Sequence, residues 1–449
     1  MNITNSRNRT RTTGRRSEPL NLIRRFRKAL SWRKVREAEG FTQFFVIIVT
    51  LTLAPVFFGF KVAGFSLAGW SWVFALVFSL WRLSCVSTGR VAFPVRIWAP
   101  WCAVLAAYLV FTARRLDAVH TAFQMLTPIA VGCAASTFRP PTSQLRSILP
   151  SLDKLAWVVS GLVLATAALK FGGALPTYGF MLMPVVFSLV LASLFAGFYA
   201  SGSKRHIWYY TAMAALPVFC YVRGPIMAAS ASLLLTPAPL GKNKRLAACG
   251  MVLLAGVLLF YTPRFQARMF RSGHGSIEEL RSGVNDPNLQ TSGRSAMWDF
   301  LWAGFKDRPW LGHGLNQSRS DLLDAGFPTY LPHNDWLKLL YEFGILGTAC
   351  YFLAMLLQAL RLRLIGSRAS GDLRILAYGA AGTFVPFAVM MFTDNVILYV
   401  QFFCNLQFCM IGFIYGHLRF RRAQKASIRR EQLTRVQCSN PPLQQAAND

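Results

Sequence analysis

Among the six histidines of the chain, His333 stands between Pro332 and Asn334, where a long polar stretch re-enters a very apolar one. An imidazole accepts a proton near neutral pH, so a histidine at such a junction serves either as a general base or as a packed structural side chain. Asn334 or Asp335 can cap the first turn of the helix that follows, which would set the ring at the mouth of any cavity between helices. Two arginines occupy comparable edges. Arg223 follows one apolar run and precedes Gly224-Pro225; its planar fork suits bidentate capture of a phosphate, or a snorkelled contact with headgroups and carbonyls. Arg294, in Thr-Ser-Gly-Arg-Ser-Ala-Met-Trp, opens an amphipathic segment. His313, in Trp310-Leu-Gly-His-Gly-Leu, suits a tight turn against a ligand and equally an exposed loop.

Other chemistries find little support. There is no HExxH and no DxD, and no obligatory metal or other cofactor is expected. No GxSxG elbow is present, and the long polar stretch contains no cysteine for nucleophilic catalysis. No acidic pair lies mid-way along an apolar run, which disfavours proton-coupled transport. The nine cysteines form no CxxC and read as buried apolar residues.

The elements that must position these side chains are membrane helices. With 54% hydrophobic residues, 14% aromatics and only 15% charged residues, the chain is too apolar for a soluble protein of 449 residues. The expectation is an all-α polytopic bundle of about twelve transmembrane helices with a small helical periplasmic subdomain. The runs fall at 41–60, 67–83, 97–113, 117–136, 153–171, 178–200, 206–222, 225–239, 246–262, 334–360, 373–392 and 395–417.

The net charge of +30 does not point to nucleic acid, because the basic residues gather at the termini and in alternate gaps between runs. Residues 1–40 carry ten Arg with Lys28 and Lys34, and read as a cytoplasmic arm against anionic lipid. Arg82, Arg90 and Arg96, then Arg139 and Arg146, Lys204 and Arg205, Lys242 to Arg245, and Arg361 to Arg374 mark the inner gaps. Arg114 and Arg115 run against this pattern.

The resulting division is a basic arm 1–40, nine spans in 41–262, an outer subdomain 263–333, three spans in 334–417 and a basic cytoplasmic tail 418–449. Both termini lie inside, and Arg223, His333 and the Asp394-Asn395 turn lie outside. Within the outer segment, Trp298, Leu301, Trp302 and Phe305 at helical spacing predict an amphipathic helix over Arg294 to Asp307, stopped by Pro309.

Together these pieces resemble the O-antigen ligase and polysaccharide polymerase superfamily. Its signature is His-Asn, about nine residues, then Gly-x-x-Gly-Thr, and His333-Asn334 with Gly344-Ile-Leu-Gly347-Thr348 is similar to it. Trp310-Leu-Gly-His-Gly-Leu, Gly293-Arg294-x-x-x-Trp298 and Arg223-Gly224 follow in the family order, over roughly residues 210–415. Tyr221-Val-Arg223-Gly224-Pro225 departs from the Ser-Arg-Gly-Ala of many members.

The resemblance implies a metal-independent, inverting glycosyltransferase of the bacterial inner membrane, acting at the periplasmic face. Its donor would be a glycan on undecaprenyl diphosphate, and its acceptor lipid A core or a growing glycan. His333 would deprotonate the acceptor hydroxyl and Arg223 and Arg294 would hold the leaving diphosphate, with His313 and Asn334 in support. The reading adopted is an O-antigen ligase, with an O-antigen or exopolysaccharide polymerase as the alternative. A lipid-linked glycan flippase is the competitor from another class; it would need no His333 and would draw its charges from many spans.

Overall fold

The computed structural model describes residues 39–53, 61–62, 65–112, 116–171, 182–220, 222–282, 286–290, 293–399 and 404–439. The basic arm 1–38, Arg114 and Arg115, and the tail beyond residue 439 lie outside them. Among the described residues the regular elements are helices apart from one pair of two-residue strands, β1 (Lys61–Val62) against β2 (Phe65–Ser66), with Lys61 opposite Ser66.

The first half runs α1 (Glu39–Leu53), α2 (Leu67–Ser84), α3 (Val95–Phe111), α4 (Leu116–Ala135), α5 (Thr142–Phe171), α6 (Leu182–Ala200), α7 (His206–Phe219), α8 (Arg223–Leu234) and α9 (Lys242–Phe260). Four short helices follow: α10 (Pro263–Met269), α11 (Ile277–Ser282), α12 (Arg294–Asp307) and α13 (Gln317–Asp324). The chain then returns through α14 (Asp335–Arg368), α15 (Gly371–Gly382), α16 (Phe384–Met390) and α17 (Cys404–Ser439). Each predicted apolar run contains helix, although parts of the runs 41–60, 97–113, 178–200, 206–222 and 395–417 lie outside the described residues. Among the described residues five helices are long and apolar enough to cross a membrane, beginning at Leu116, Thr142, Lys242, Asp335 and Gly371. By their length and composition these helices mark the chain as an integral membrane protein.

One continuous apolar core joins the bundle, with α6 at its centre: Val185 to Ala196 are almost wholly buried. The periphery is different. α9 leaves Leu246, Met251, Leu253, Leu254 and Leu258 exposed, as expected of a helix that meets lipid rather than protein on most of its surface. Cys249 on α9 and Cys85 just past α2 are exposed, which corrects the expectation that the cysteines are buried.

Three elements depart from the sequence reading in instructive ways. α5 starts at Thr142 rather than residue 153, because Leu145, Ile148, Leu149 and Leu152 recur at i, i+3, i+4 and i+7 and bury one face of an otherwise polar turn. α12 has the predicted bounds, but its buried face is Met297 and Leu301, packed with Leu322, Leu337 and Tyr341. Trp302 is half-exposed and pairs with Phe305, ring centroids 5.1 Å apart, away from that core.

The third departure matters most. The run 334–360 reads as one span, yet α14 is broken at Gly344, where φ is 61° and ψ −167°. A side chain there would also place its Cβ 2.3 Å from Trp310 O, so only glycine fits. A break frees backbone groups, and residues 309–314 take them up. Ile345 N–H donates to Pro309 O at 2.8 Å and Leu346 N–H to Trp310 O at 3.3 Å; His313 and Gly314 amides donate to Tyr341 O and Glu342 O at 2.9 Å each. The loop Trp310-Leu-Gly-His-Gly is therefore the cap of the helix break.

Candidate active site

α14 begins where it does because Asn334 caps it: Asn334 Oδ1 accepts Leu337 N–H at 3.0 Å. His333, just before the cap, has φ 52°, a left-handed conformation that side-chain-bearing residues seldom adopt. Its backbone N–H donates to Asn395 Oδ1 at 3.1 Å, which holds it there. The ring then meets Asp394: Nδ1 lies 3.0 Å from Oδ1, with the two side chains 23% and 10% exposed. A carboxylate can only accept, so in the neutral imidazole Nδ1 carries the proton and Nε2 the lone pair. Nε2 makes no hydrogen bond within the described residues.

Asp394 sits in the turn 391–397 that links α16 to a short 3-10 helix, Val396–Tyr399. The same turn receives one arginine and packs against the helix start that carries another. Arg294, at the first position of α12, donates through Nη1 to Thr393 O at 3.3 Å. Gly224, next to Arg223 at the start of α8, lies so close that a Cβ on it would fall 2.5 Å from Thr393 Oγ1. Arg223 itself reaches toward the segment after α9, with Nη1 3.2 Å from Met269 Sδ and Nη2 donating to Gln290 O at 3.2 Å. That segment is folded by an antiparallel bridge between Phe270 and Leu289 and by a small core of Phe260, Phe270 and Leu289.

Arg268 completes the cationic group. Its Nη1 donates to Cys220 O at 3.4 Å, and its charge is felt at Arg223. Burial first, then the Arg294 and Arg268 guanidiniums, lower the pKa of Arg223 from its usual value. Two like charges beside a partly buried guanidinium are mutually repulsive with it, and a bound anion relieves that repulsion. A proton acceptor with a carboxylate behind it thus shares one turn with Arg294, one of three neighbouring guanidiniums. This arrangement can deprotonate a hydroxyl while holding phosphate oxygens.

Residues 208–352 match the family model of O-antigen ligases. No curated protein matches the chain. The resemblance to the O-antigen ligase superfamily therefore holds over about a third of the chain, from α7 past the break in α14. It supports a membrane glycosyltransferase of the O-antigen ligase and polymerase type. Arg223, Arg268, Arg294, His313 and His333 fall inside the matched segment, and Asp394 falls outside it.

Of the residues singled out from sequence, His333, Arg294 and the start of α8 with Arg223 come together around Thr393-Asp394-Asn395. Asn334 caps α14. His313 does not join them by any contact: its Nε2–H donates to Gly304 O at 2.8 Å and its ring stacks on Tyr341 at 4.3 Å, within the cap of the helix break. Sequence reasoning missed Asp394 and Arg268 as site residues. Asp394 carried a usable signal, being the one Asp or Glu between Leu373 and Arg430. Arg268 carried none, since Arg264, Arg271 and Arg281 lie in the same segment.

Among the described residues, no three His, Cys, Asp or Glu side chains gather as a metal site would require.

Proposed function

We propose that the protein is an inverting, metal-independent glycosyltransferase that moves a glycan from undecaprenyl diphosphate to an acceptor hydroxyl at the periplasmic face of the inner membrane, acting as an O-antigen ligase on lipid A core. His333 Nε2 takes the proton of the acceptor hydroxyl, whose oxygen attacks the anomeric carbon from the face opposite the diphosphate. The bond to the diphosphate breaks with inversion, and its growing negative charge is met by Arg223, Arg294 and Arg268. Asp394 keeps Nδ1 protonated and stabilises the imidazolium that forms.

The observation that carries this reading is the meeting of His333 and Arg294 on a single turn, with Arg223 and Arg268 close enough to Arg294 for their charges to interact. A flippase has no use for that pairing. Alternating basic gaps favour twelve crossings with both termini cytoplasmic, which sets residues 263–333 and the turn 391–397 outside. In this topology the nine spans of 41–262 and the three of 334–417 flank a periplasmic subdomain, and the arm 1–40 and tail 418–449 lie against the inner leaflet.

The test is a deletion strain complemented with wild type or with His333→Ala, comparing surface glycan with the undecaprenyl-linked pool. Long lipid-linked chains over bare lipid A core identify a ligase. Single repeat units on the surface identify a polymerase of the same superfamily. Full complementation by His333→Ala overturns the mechanism.

A further inference from the structure

The first residue of α14 has no part in the chemistry above, yet it is wholly buried beneath it. Asp335 N–H donates to Met391 O at 2.7 Å, and Trp336 N–H reaches the same oxygen at 3.4 Å. Asp335 Oδ2 accepts the N–H of Ile397 at 2.7 Å. One residue thus holds both the entry and the exit of the turn 391–397. Between those two points lie Thr393 O, which receives Arg294, Asp394, which receives the His333 ring, and Asn395, which receives the His333 amide. The acceptor is a buried carboxylate at 0% exposure, with Lys338 one helical turn on, itself paired to Glu342 at 3.7 Å. Burying a carboxyl group in such a place is unfavourable unless its hydrogen bonds are needed. A neutral small residue would have served a merely packed helix start.

We infer that Asp335 is a positioning residue for the reaction: by clamping residues 391 and 397 it sets Asp394 and Asn395 against His333, and Thr393 O against Arg294. The inference rests on the proposed transfer chemistry for its kinetic consequence and on hydrogen bonds alone for its structural one. Freed of the clamp, the turn widens, the Nδ1 bond lengthens and the ring loses the orientation that presents Nε2.

The experiment uses full-length protein in detergent or proteoliposomes, in the variants Asp335→Leu, Asp335→Asn, Asp394→Asn and Asp335→Leu/Asp394→Asn, beside wild type and His333→Ala. Two readouts are taken: kcat and donor KM for glycan transfer, and the rate at which diethyl pyrocarbonate modifies His333, followed by mass spectrometry. Asp335→Leu is expected to lower kcat roughly 10- to 100-fold, the loss of a buried hydrogen bond that leaves Ile397 N–H without its acceptor, with KM little changed. It also raises the modification rate of His333 several-fold. Asp335→Asn keeps an acceptor for Ile397 N–H and restores most of both.

In the double variant the losses do not multiply, since both act through one contact; it falls within about threefold of the worse single variant. Wild-type kcat and modification rate in Asp335→Leu, or fully multiplicative losses, overturn the inference. Should the leucine variant not fold, Asp335→Asn decides: His333 reactivity as high as in Asp394→Asn overturns the clamp, and near-wild-type reactivity upholds it. A wild-type protein without transfer activity would sink the proposed function, and the modification rates would still judge the clamp.

Discussion

Two irregular segments meet α14, and they do opposite work. The loop 309–314 carries the more conspicuous sequence, with a tryptophan and a histidine set between glycines, and it is spent on backbone satisfaction at the Gly344 break. The turn 391–397 lies inside an apolar stretch with no recognisable motif, and it receives a histidine and an arginine. His313 has its ring nitrogen committed to Gly304 O and its face to Tyr341. His333 has one nitrogen committed and one left over. A histidine's availability for proton transfer follows from what its other nitrogen and its faces are already doing, and a motif does not show that.

Four measurements would break or sharpen the contrast. His333→Ala should lower glycan transfer by about 10² to 10⁴, the usual worth of a general base, with an unchanged melting temperature of the detergent-solubilised protein. An unchanged rate would put His333 in the same class as His313. Asp394→Asn should cost about 1.5–3 kcal/mol of transition-state stabilisation, read from kcat/KM, because the amide no longer fixes the Nδ1 proton as a carboxylate does.

On the other segment the signs reverse. Gly344→Ala should lower stability by about 1–3 kcal/mol from backbone strain alone, seen as reduced folded yield and melting temperature. His313→Phe should cost about 0.5–1.5 kcal/mol of stability through the lost bond to Gly304 O, while the stack on Tyr341 survives and transfer stays near normal. A large activity loss with intact stability in His313→Phe would erase the distinction between the two segments.

Much of the helical framework was legible because lipid-facing and core-facing residues are alike apolar, so length alone marks a helix. α12 was legible to the residue because Gly293 and Pro309 bracket its periodicity, and of the stripe Trp298, Leu301, Trp302 and Phe305 it is Leu301 that is buried while Trp302 stays half-exposed. The N-cap at Asn334 was legible from residue type. The break at Gly344 was not, since a glycine in an apolar run looks the same whether the helix bends there or not. The partnership of His333 with Asp394 spans 61 residues, and Asp335 acts through backbone groups of a distant turn. Pairings of that kind are written in tertiary packing, to which a period along the chain gives no access.

The break in α14 bears on biogenesis. In hydrocarbon, every backbone amide released from a helix must find a partner inside the protein. The carbonyls of Pro309 and Trp310 that receive Ile345 and Leu346 are synthesised before α14 is. When that helix leaves the ribosome, the groups that will receive its open backbone already exist, and the interrupted span can be settled as it inserts without waiting for the rest of the chain. The turn 391–397 is made afterwards, so the bond between His333 and Asp394 cannot form until that later segment has been synthesised.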